Sequence, residues 1–476
     1  MSIPCRSEAY AIPFSFAELS YPHALVRAAD TGRMHGTGPL REVVEEMLNE
    51  LQRPDEHLSC LQIAGTNGKT STSRYTAAIL RGEGKRVGLF TSPHLVRYPE
   101  RIEIDGQPVS DVVFAHGVSA AVAAGDRVNA ARSAVGLEPY LVTPFDVLTV
   151  AALVIFAESA LEVAVLEVGL GGRWDATTAT RPDAVAITGI GLDHMGILGS
   201  TLAEIAGEKA AVIRHGQAVV LGEGLGEPSV HAVIQKRCQA QGVTPIWVSH
   251  ELLVAPQQLG KTLEIRVSGQ FASYEVSAVK PAYQAQNIAC AIMLAEAYLK
   301  RALVIASLQQ SVACCPTPGR FDVLRADPLL LVDACHNPQG CAEFISSIAA
   351  IAPNRDERPH LLIAALSDKD VQGIVSILAP AFPGFAVTNT SADRALPAAD
   401  LAEFLQSELE SQQRFETPVE IFGSPAEAIE AYGKRGLPLV AAGTITLAGE
   451  LAGLVRHAHA AYLHPDDSRP QEPESR

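Results

Sequence analysis

The chain has 476 residues, 47% of them hydrophobic, and 37 basic against 53 acidic side chains give a formal net charge of −16. That length allows two to three domains, and that hydrophobic content describes large buried cores rather than a disordered chain. The acidic balance argues against nucleic acid or an anionic membrane surface as the main partner, while a local basic site can still hold an anionic substrate.

Residues 1–58 read as a helical lead-in. Leu40, Val43, Val44, Met47, Leu48 and Leu51 recur at helical spacing, and Pro54 ends the run. The opening MSIPCRSEAY has neither a basic nor an apolar signal region, so no signal peptide is expected. From 59 to about 315, short apolar runs at 60–64, 86–91, 163–168, 184–190 and 218–221 alternate with helical stretches such as 145–159 and 201–213. Such alternation implies a largely parallel sheet covered on both faces. Runs at 246–248, 263–268 and 272–276 suggest antiparallel strands, and 283–302 a helix. The apolar stretch 147–170 is broken by Glu158, Glu162 and Glu167, which makes it a core helix and strand rather than a membrane span.

Cys315-Pro316-Thr317-Pro318-Gly319 reads as a hinge and domain boundary. Beyond it the alternation restarts, with strand-like 329–332, 360–364, 386–388, 419–422 and 437–441 and helical 340–351 and 397–409. This is the pattern of a second, smaller doubly wound α/β domain. The domains expected are therefore 1–316 and 317–463, with a polar, proline-containing tail over 464–476 expected to be disordered. Eight cysteines without a CxxC pair point to reduced core thiols in a cytoplasmic protein.

The chemistry starts at Ile63–Thr72, IAGTNGKTST, a glycine-rich turn closing a buried strand and opening a helix over about 70–81. Gly65 and Gly68 let backbone approach phosphate, Lys69 can neutralise it, and Thr70 can offer a hydroxyl to Mg2+. Ile63 stands where the standard P-loop has its first glycine, so an ordinary strand–turn–helix corner competes with nucleotide binding. In AVLEVGLGGRWDAT, Glu167 leaves an apolar strand into glycines, where a cation or Arg173 would be its partner. Asp193 and His194 follow another strand, open to a metal or phosphate role or a structural one.

Lys209 lies in an apolar helix with Ile205, Ala206, Val212 and Ile213 three and four residues away. It either snorkels or, as a neutral amine, forms a carbamate that ligates metal. The loop at 90–102 carries Ser92, Arg97 and Arg101, either a hydroxyl for metal and cations for an acidic substrate or solvated surface charge. Asp333 and His336 follow a strand in the second domain, where a ribose or phosphate contact competes with an N-capping turn.

In this order GTNGKT, TSPHL, TPFD, EVGLGGRWDAT, LDH, GEKA, Gln284–Asn287, PGRFDV and DACHNP resemble the folylpolyglutamate synthase/dihydrofolate synthase family of the Mur-ligase superfamily, over roughly residues 35–450. Each motif alone is weak; the ordered set is specific. The resemblance implies a P-loop domain of mostly parallel sheet, a smaller Rossmann-like α/β domain, and an active site in the interdomain cleft. It implies an ATP-dependent ligase that joins L-glutamate to dihydropteroate or to (tetrahydro)folate polyglutamate through an acyl phosphate, a cytoplasmic monomer with two Mg2+ ions.

By motif, Thr66, Asn67, Gly68, Lys69, Thr70 and Ser71 would hold ATP phosphates. Ser92 and Glu167 would ligate the first Mg2+, and His194 with Lys209 as its carbamate the second. Asn287 would meet adenine, Arg320 and Asp333 phosphate and ribose, and His336 the acyl phosphate or glutamate. Val142, Thr143, Pro144 and Phe145 with Trp174, Asp175 and Ala176 would line a pterin pocket. Thr70 stands where the family often has glycine, which leaves open whether it or Ser92 serves the metal. Two other readings compete: another Mur-type amino-acid ligase, of the peptidoglycan-precursor or cyanophycin type, and a P-loop switch or transport ATPase. The TSPHL loop argues against the first, and the glycine-rich sequence after Glu167 against the second.

Overall fold

The computed structural model describes residues 9–29 and 41–463. Leu40 and the tail at 464–476 lie outside the described residues. The described residues divide into two compact units, one of 9–29, 41–256 and 260–316, the other of 317–463 with Gln257–Leu259.

The first unit is built on eight strands: β1 Ser59–Ala64, β2 Val87–Phe90, β3 Ile102–Ile104, β4 Gln107–Pro108, β5 Val163–Glu167, β6 Ala184–Gly189, β7 Ala218–Gly224 and β8 Ile246–Trp247. Their order across the sheet is β4-β3-β2-β5-β1-β6-β7-β8. All neighbours are parallel except at the β2–β3–β4 edge. The register sets Ile63 beside Glu167, Ala64 beside Ile187, and Phe90 beside Leu166. The loops leaving β1, β2, β5 and β6 therefore emerge together at the carboxyl edge, where open parallel sheets bind ligands.

The central strands are apolar throughout because helices cover both faces. On one face lie the lead-in helices Tyr21–Ala29 and Arg41–Glu50, with Asp111–Ala134 and Pro144–Glu158. The last of these is buried at nearly every position, hence its unbroken apolar sequence. The other face is covered by Lys69–Gly82 and Gln284–Leu299.

The run at 246–248 differs from expectation. Ile246 and Trp247 pair parallel with Val220 and Leu221 and complete the main sheet. Helix Pro228–Gln241 supplies the crossover, and a two-residue apolar run carries no signal of direction. The antiparallel sheet is instead β9 His250–Val254, β10 Leu263–Ser268 and β11 Ser273–Ala278. Its inner face alternates Leu263, Ile265 and Val267 against Tyr274, Val276 and Ala278, each large aliphatic contributing about 1.5–3 kcal/mol of burial.

The second unit has six strands: β12 Asp322–Arg325, β13 Leu330–Val332, β14 His360–Ile363, β15 Phe385–Thr388, β16 Val419–Phe422 and β17 Leu439–Ala442. Their order is β12-β13-β17-β14-β15-β16, parallel except for the edge strand β12. Helices Pro338–Ile351, Val371–Leu378 and Ala398–Ser411 bury their apolar faces against it. No helix among the described residues is long and apolar enough to cross a membrane.

Candidate active site

The loop after β1 turns through Gly65 and Gly68 and enters helix Lys69–Gly82. Gly68 has φ +81°, and a Cβ there would run into Asn287 Oδ1. Only glycine satisfies both the left-handed backbone and the close approach. Helix Gln284–Leu299 closes on this loop: Gln284 Nε2 donates to Ser71 Oγ at 3.2 Å and Asn287 Nδ2 to Gln284 Oε1 at 3.1 Å. On the other side Thr188 Oγ1 donates to the Asn67 carbonyl at 2.6 Å, and Thr66 Oγ1 to the Gly191 carbonyl at 3.1 Å. The first-turn N–H groups of the helix have no carbonyl one turn earlier, which suits an anion. Lys69 Nζ lies back on the Gly65 and Thr66 carbonyls, 3.1 and 3.0 Å away.

Glu167, at the end of β5, is 1% exposed and accepts from Thr70 Oγ1 at 2.8 Å and from the Ser92 N–H at 3.1 Å. Sequence proximity suggested Arg173 as its partner. Arg173 instead pairs with Glu208 at 2.9 Å, because the glycine turn carries it over helix Leu202–Ala210. The Thr70 hydroxyl and the Glu167 carboxylate meet as oxygen ligands of the kind Mg2+ prefers when it also keeps waters and phosphate oxygens, and the backbone of Ser92 is tied to the same carboxylate through its N–H. Among the described residues no group of three or more His, Cys, Asp or Glu could hold a metal ion.

Helix Leu202–Ala210 starts at a Thr201–Glu204 capping box and ends earlier than the spacing predicts. Beyond it the Ala211 and Ile213 carbonyls take Arg237, and the Glu208 carbonyl takes the Arg173 N–H. Lys209, in its last turn, is 4% exposed, and its Nζ donates to the Gly65 carbonyl at 2.8 Å. Burial pulls its amine down to about 7, Lys69 pulls the same way, and Asp193 and Asp175 oppose. His194 sits at φ +51°, with Nε2 3.9 Å from Asp193 Oδ1 and much of its ring exposed.

The TPFD and glycine-turn segments touch through Phe145 and Gly169, while their other members line two separate pockets. Phe145 packs where a Cβ on Gly169 would be 2.5 Å from its ring, and its ring lies tilted against Phe90 with centroids 5.7 Å apart. Thr143 caps the following helix in a reciprocal box with Asp146, whose carboxyl burial pushes up to about 6. Asp175 and Ala176 were expected to touch substrate, yet both are buried. The Asp175 carboxylate accepts from the Gly169, Leu170 and Thr177 N–H groups, so it holds the turn's shape. Trp174 is the exposed member of that set, 47% accessible, on an open groove of about 710 Å³ shared with Leu170, Ile197 and Leu198. Val142 and Pro144 line a separate pocket of about 80 Å³ with Asn129 and Tyr140.

In the loop after β2, Arg97 is taken by Asp111 at 2.6 Å. Arg101 Nε donates to His94 Nδ1 at 2.9 Å, its guanidinium lies 5.1 Å from the Tyr98 ring centroid, and Glu167 is the carboxylate whose charge it feels. Burial lowers the His94 imidazole to about 4, with Arg101 adding to the effect.

In the second unit the loop after β13 folds around Asp333, which accepts from the Cys335 and Phe321 N–H groups at 2.9 Å each. His336 Nδ1 lies 2.9 Å from the Ala334 carbonyl, and Asn337 caps helix Pro338–Ile351 through the Gly340 N–H. Arg320 N–H donates to the Thr317 carbonyl at 3.1 Å. Sequence reasoning missed Thr188 and the loop role of Gln284. The signal for Thr188 was a lone hydroxyl in the apolar strand AVAITG.

Comparison with known proteins found no matching family model. The dihydrofolate synthase/folylpolyglutamate synthase of Mycobacterium tuberculosis is 32% identical over 376 residues, covering 75% of this chain and 76% of that protein. The folylpolyglutamate synthase of Lacticaseibacillus casei is 30% identical over 390 residues, covering 80% and 88%. The crystal structure of the Mycobacterium tuberculosis folylpolyglutamate synthase with ADP and AMPPCP matches with a TM-score of 0.81 at 27% identity, over 91% of this chain and 99% of that one. A Yersinia pestis bifunctional enzyme complexed with AMPPNP and a manganese ion matches at 0.74 and 26% identity, over 93% and 100%. The phosphate loop, the carboxylate after β5 and these relationships together show that the chain belongs to the dihydrofolate synthase/folylpolyglutamate synthase family of ATP-dependent ligases, within the Mur-ligase superfamily.

Proposed function

We propose that the protein joins L-glutamate to a folate-type acid, either dihydropteroate or a (tetrahydro)folate polyglutamate. The observation that carries this reading is the gathering of Glu167, Thr70, Lys69 and Lys209 at one helix N-terminus, with both lysines on the Gly65 carbonyl. A carboxylate is a poor electrophile and must be activated. An oxygen of the acid attacks the γ-phosphorus of ATP, the bond to the bridging oxygen breaks, and ADP leaves. The α-amino nitrogen of glutamate then adds to the acyl carbon, loses a proton, and phosphate departs with one oxygen of the original acid. Lys69 and the loop N–H groups would hold the phosphates through the first step.

Thr70, Ser92 and Glu167 would hold a first Mg2+, which when bound offsets phosphate charge. As an ammonium Lys209 has no lone pair for a metal, and a second ion held with His194 would call on Lys209 as its carbamate. A neutral amine adds carbon dioxide and releases a proton, and a lysine whose amine is lowered to about 7 is suited to it. Labelled bicarbonate should give a carbamate carbon signal in the wild type that Lys209→Met lacks; equal spectra would remove the idea.

Asn287 is our candidate for adenine, Asp333 and Arg320 for ribose and phosphate, His336 for acyl phosphate or glutamate, and Phe145 with Trp174 for the pterin. We further propose that residues 1–316 and 317–463 act as the two domains of a cytoplasmic monomer. Acid labelled with oxygen-18 in its carboxylate tests the chemistry. Released phosphate should carry one labelled oxygen, and unlabelled phosphate would exclude the acyl phosphate.

A further inference from the structure

The loop after β2 carries two arginines, and the geometry separates them. Arg97 is exposed and committed to Asp111 at 2.6 Å, with its guanidinium also over Tyr21. Arg101 is held differently. Its carbonyl accepts from the Thr91 N–H at 2.9 Å, tying it to the strand end that leads into Ser92. Its Nε donates to His94 Nδ1 at 2.9 Å, and the Tyr98 ring supports both groups, 4.2 Å from the His94 ring and 5.1 Å from the guanidinium.

An arginine nitrogen can only donate, so His94 Nδ1 must present its lone pair. That one bond fixes the plane of the guanidinium. Its two terminal nitrogens donate to no acceptor among the described residues. The charge nearby is Glu167, which is already engaged by the Thr70 hydroxyl and the Ser92 N–H. A planar fork with two unspent donor nitrogens, only partly exposed and beside the phosphate loop, fits a carboxylate in two parallel bonds.

We propose that Arg101 is the carboxylate clamp for the acid substrate, with His94 as the residue that positions it. This rests on the ligase reading above. Bound there, the reacting carboxylate is held in one orientation near the loop that takes ATP.

The test compares binding of an acid substrate, dihydropteroate, with its neutral carboxamide in the presence of MgADP. Wild type, Arg101→Lys and Arg101→Gln are measured by fluorescence titration. Wild type should prefer the acid by about 10-fold, the scale of a charge-assisted fork. Arg101→Gln should bring that preference to within about 2-fold while leaving carboxamide affinity in place, and Arg101→Lys should lose most of it because an ammonium cannot make both bonds. His94→Asn, which keeps an acceptor, should retain more of the preference than His94→Phe. Equal loss for acid and carboxamide in both Arg101 variants would assign the side chain to loop packing and overturn the proposal. An unchanged preference would overturn it as well. Failure of wild type to bind either compound would instead reject the pterin acid as substrate.

Discussion

Lys209 offers the sharpest test of the electrostatics at the site. Its amine is buried, and burial with Lys69 alongside lowers it from 10.5 to about 7. The folded value lies below the unfolded one, so from about pH 7 to about 10.5 the unfolded chain holds more proton and stability rises with pH. At ~1.36 kcal/mol per unit, the lowered amine costs the folded chain about 4 kcal/mol at pH 7 and about 2 kcal/mol at pH 9, where it has given up the proton that the unfolded chain still holds. Lys209→Met removes that cost and forgoes the bond to the Gly65 carbonyl, a pH-independent loss of about 1 kcal/mol. The variant should therefore be more stable than wild type by about 3 kcal/mol at pH 7 and about 1 kcal/mol at pH 9. Urea unfolding in carbon-dioxide-free buffer measures this. Trp174 and Trp247, the two tryptophans of the chain, both lie in the first unit, so their fluorescence reports on the right unit. A gap of the same size at both pH values would refute the reasoning, because the amine would then titrate alike in folded and unfolded chains.

Glu167→Gln should cut MgATP-dependent turnover by about 100-fold or more while leaving the melting temperature within a few degrees; turnover near wild type would remove the carboxylate from the chemistry. Glu296, fully buried, accepts from Tyr274 Oη and from the Gln270, Phe271 and Ala272 N–H groups. Glu296→Ala should lose about 3 kcal/mol or more in urea unfolding, since several buried donors are left without an acceptor. His116 bridges Glu18 at 2.7 Å and Glu158 at 2.9 Å. Burial opposes its charge, but those two bonds raise its pKa overall. Their contribution is present at pH 6 and lost as pH climbs past the raised value. Being partly exposed, the bridge contributes under about 1 kcal/mol, so His116→Gln should lower the melting temperature slightly at pH 6 and not at pH 9.

The central strands were legible because strands buried on both faces read as unbroken apolar runs, and β1, β2 and β5 fall within a residue or so of expectation. Helix Asp111–Ala134 was not legible. It packs through small residues such as Ala120, Ala121 and Ala124, so it carries no amphipathic stripe. Direction was also out of reach, since β8 has two residues and pairing is decided by a partner 26 positions away. At the site, the unusual position of Lys209 could be read from its apolar neighbours, but its bonding partner could not. The Gly65 carbonyl is 144 residues distant in sequence. Arg173 shows the converse: closeness to Glu167 in sequence misled, because the glycine turn redirects it to Glu208. Asp175 lies in a motif that resembles the family's substrate-binding segment, yet its carboxylate is spent on its own loop, a distinction that only backbone geometry makes.

The measurement that bears most directly on the central claim is the mass of the product. Purified protein would be incubated with MgATP, L-glutamate and either dihydropteroate or tetrahydrofolate. The account predicts a gain of one glutamyl unit on at least one acceptor, matched by release of ADP and phosphate. ATP turnover that ignores both acids, with neither gaining mass, would contradict it.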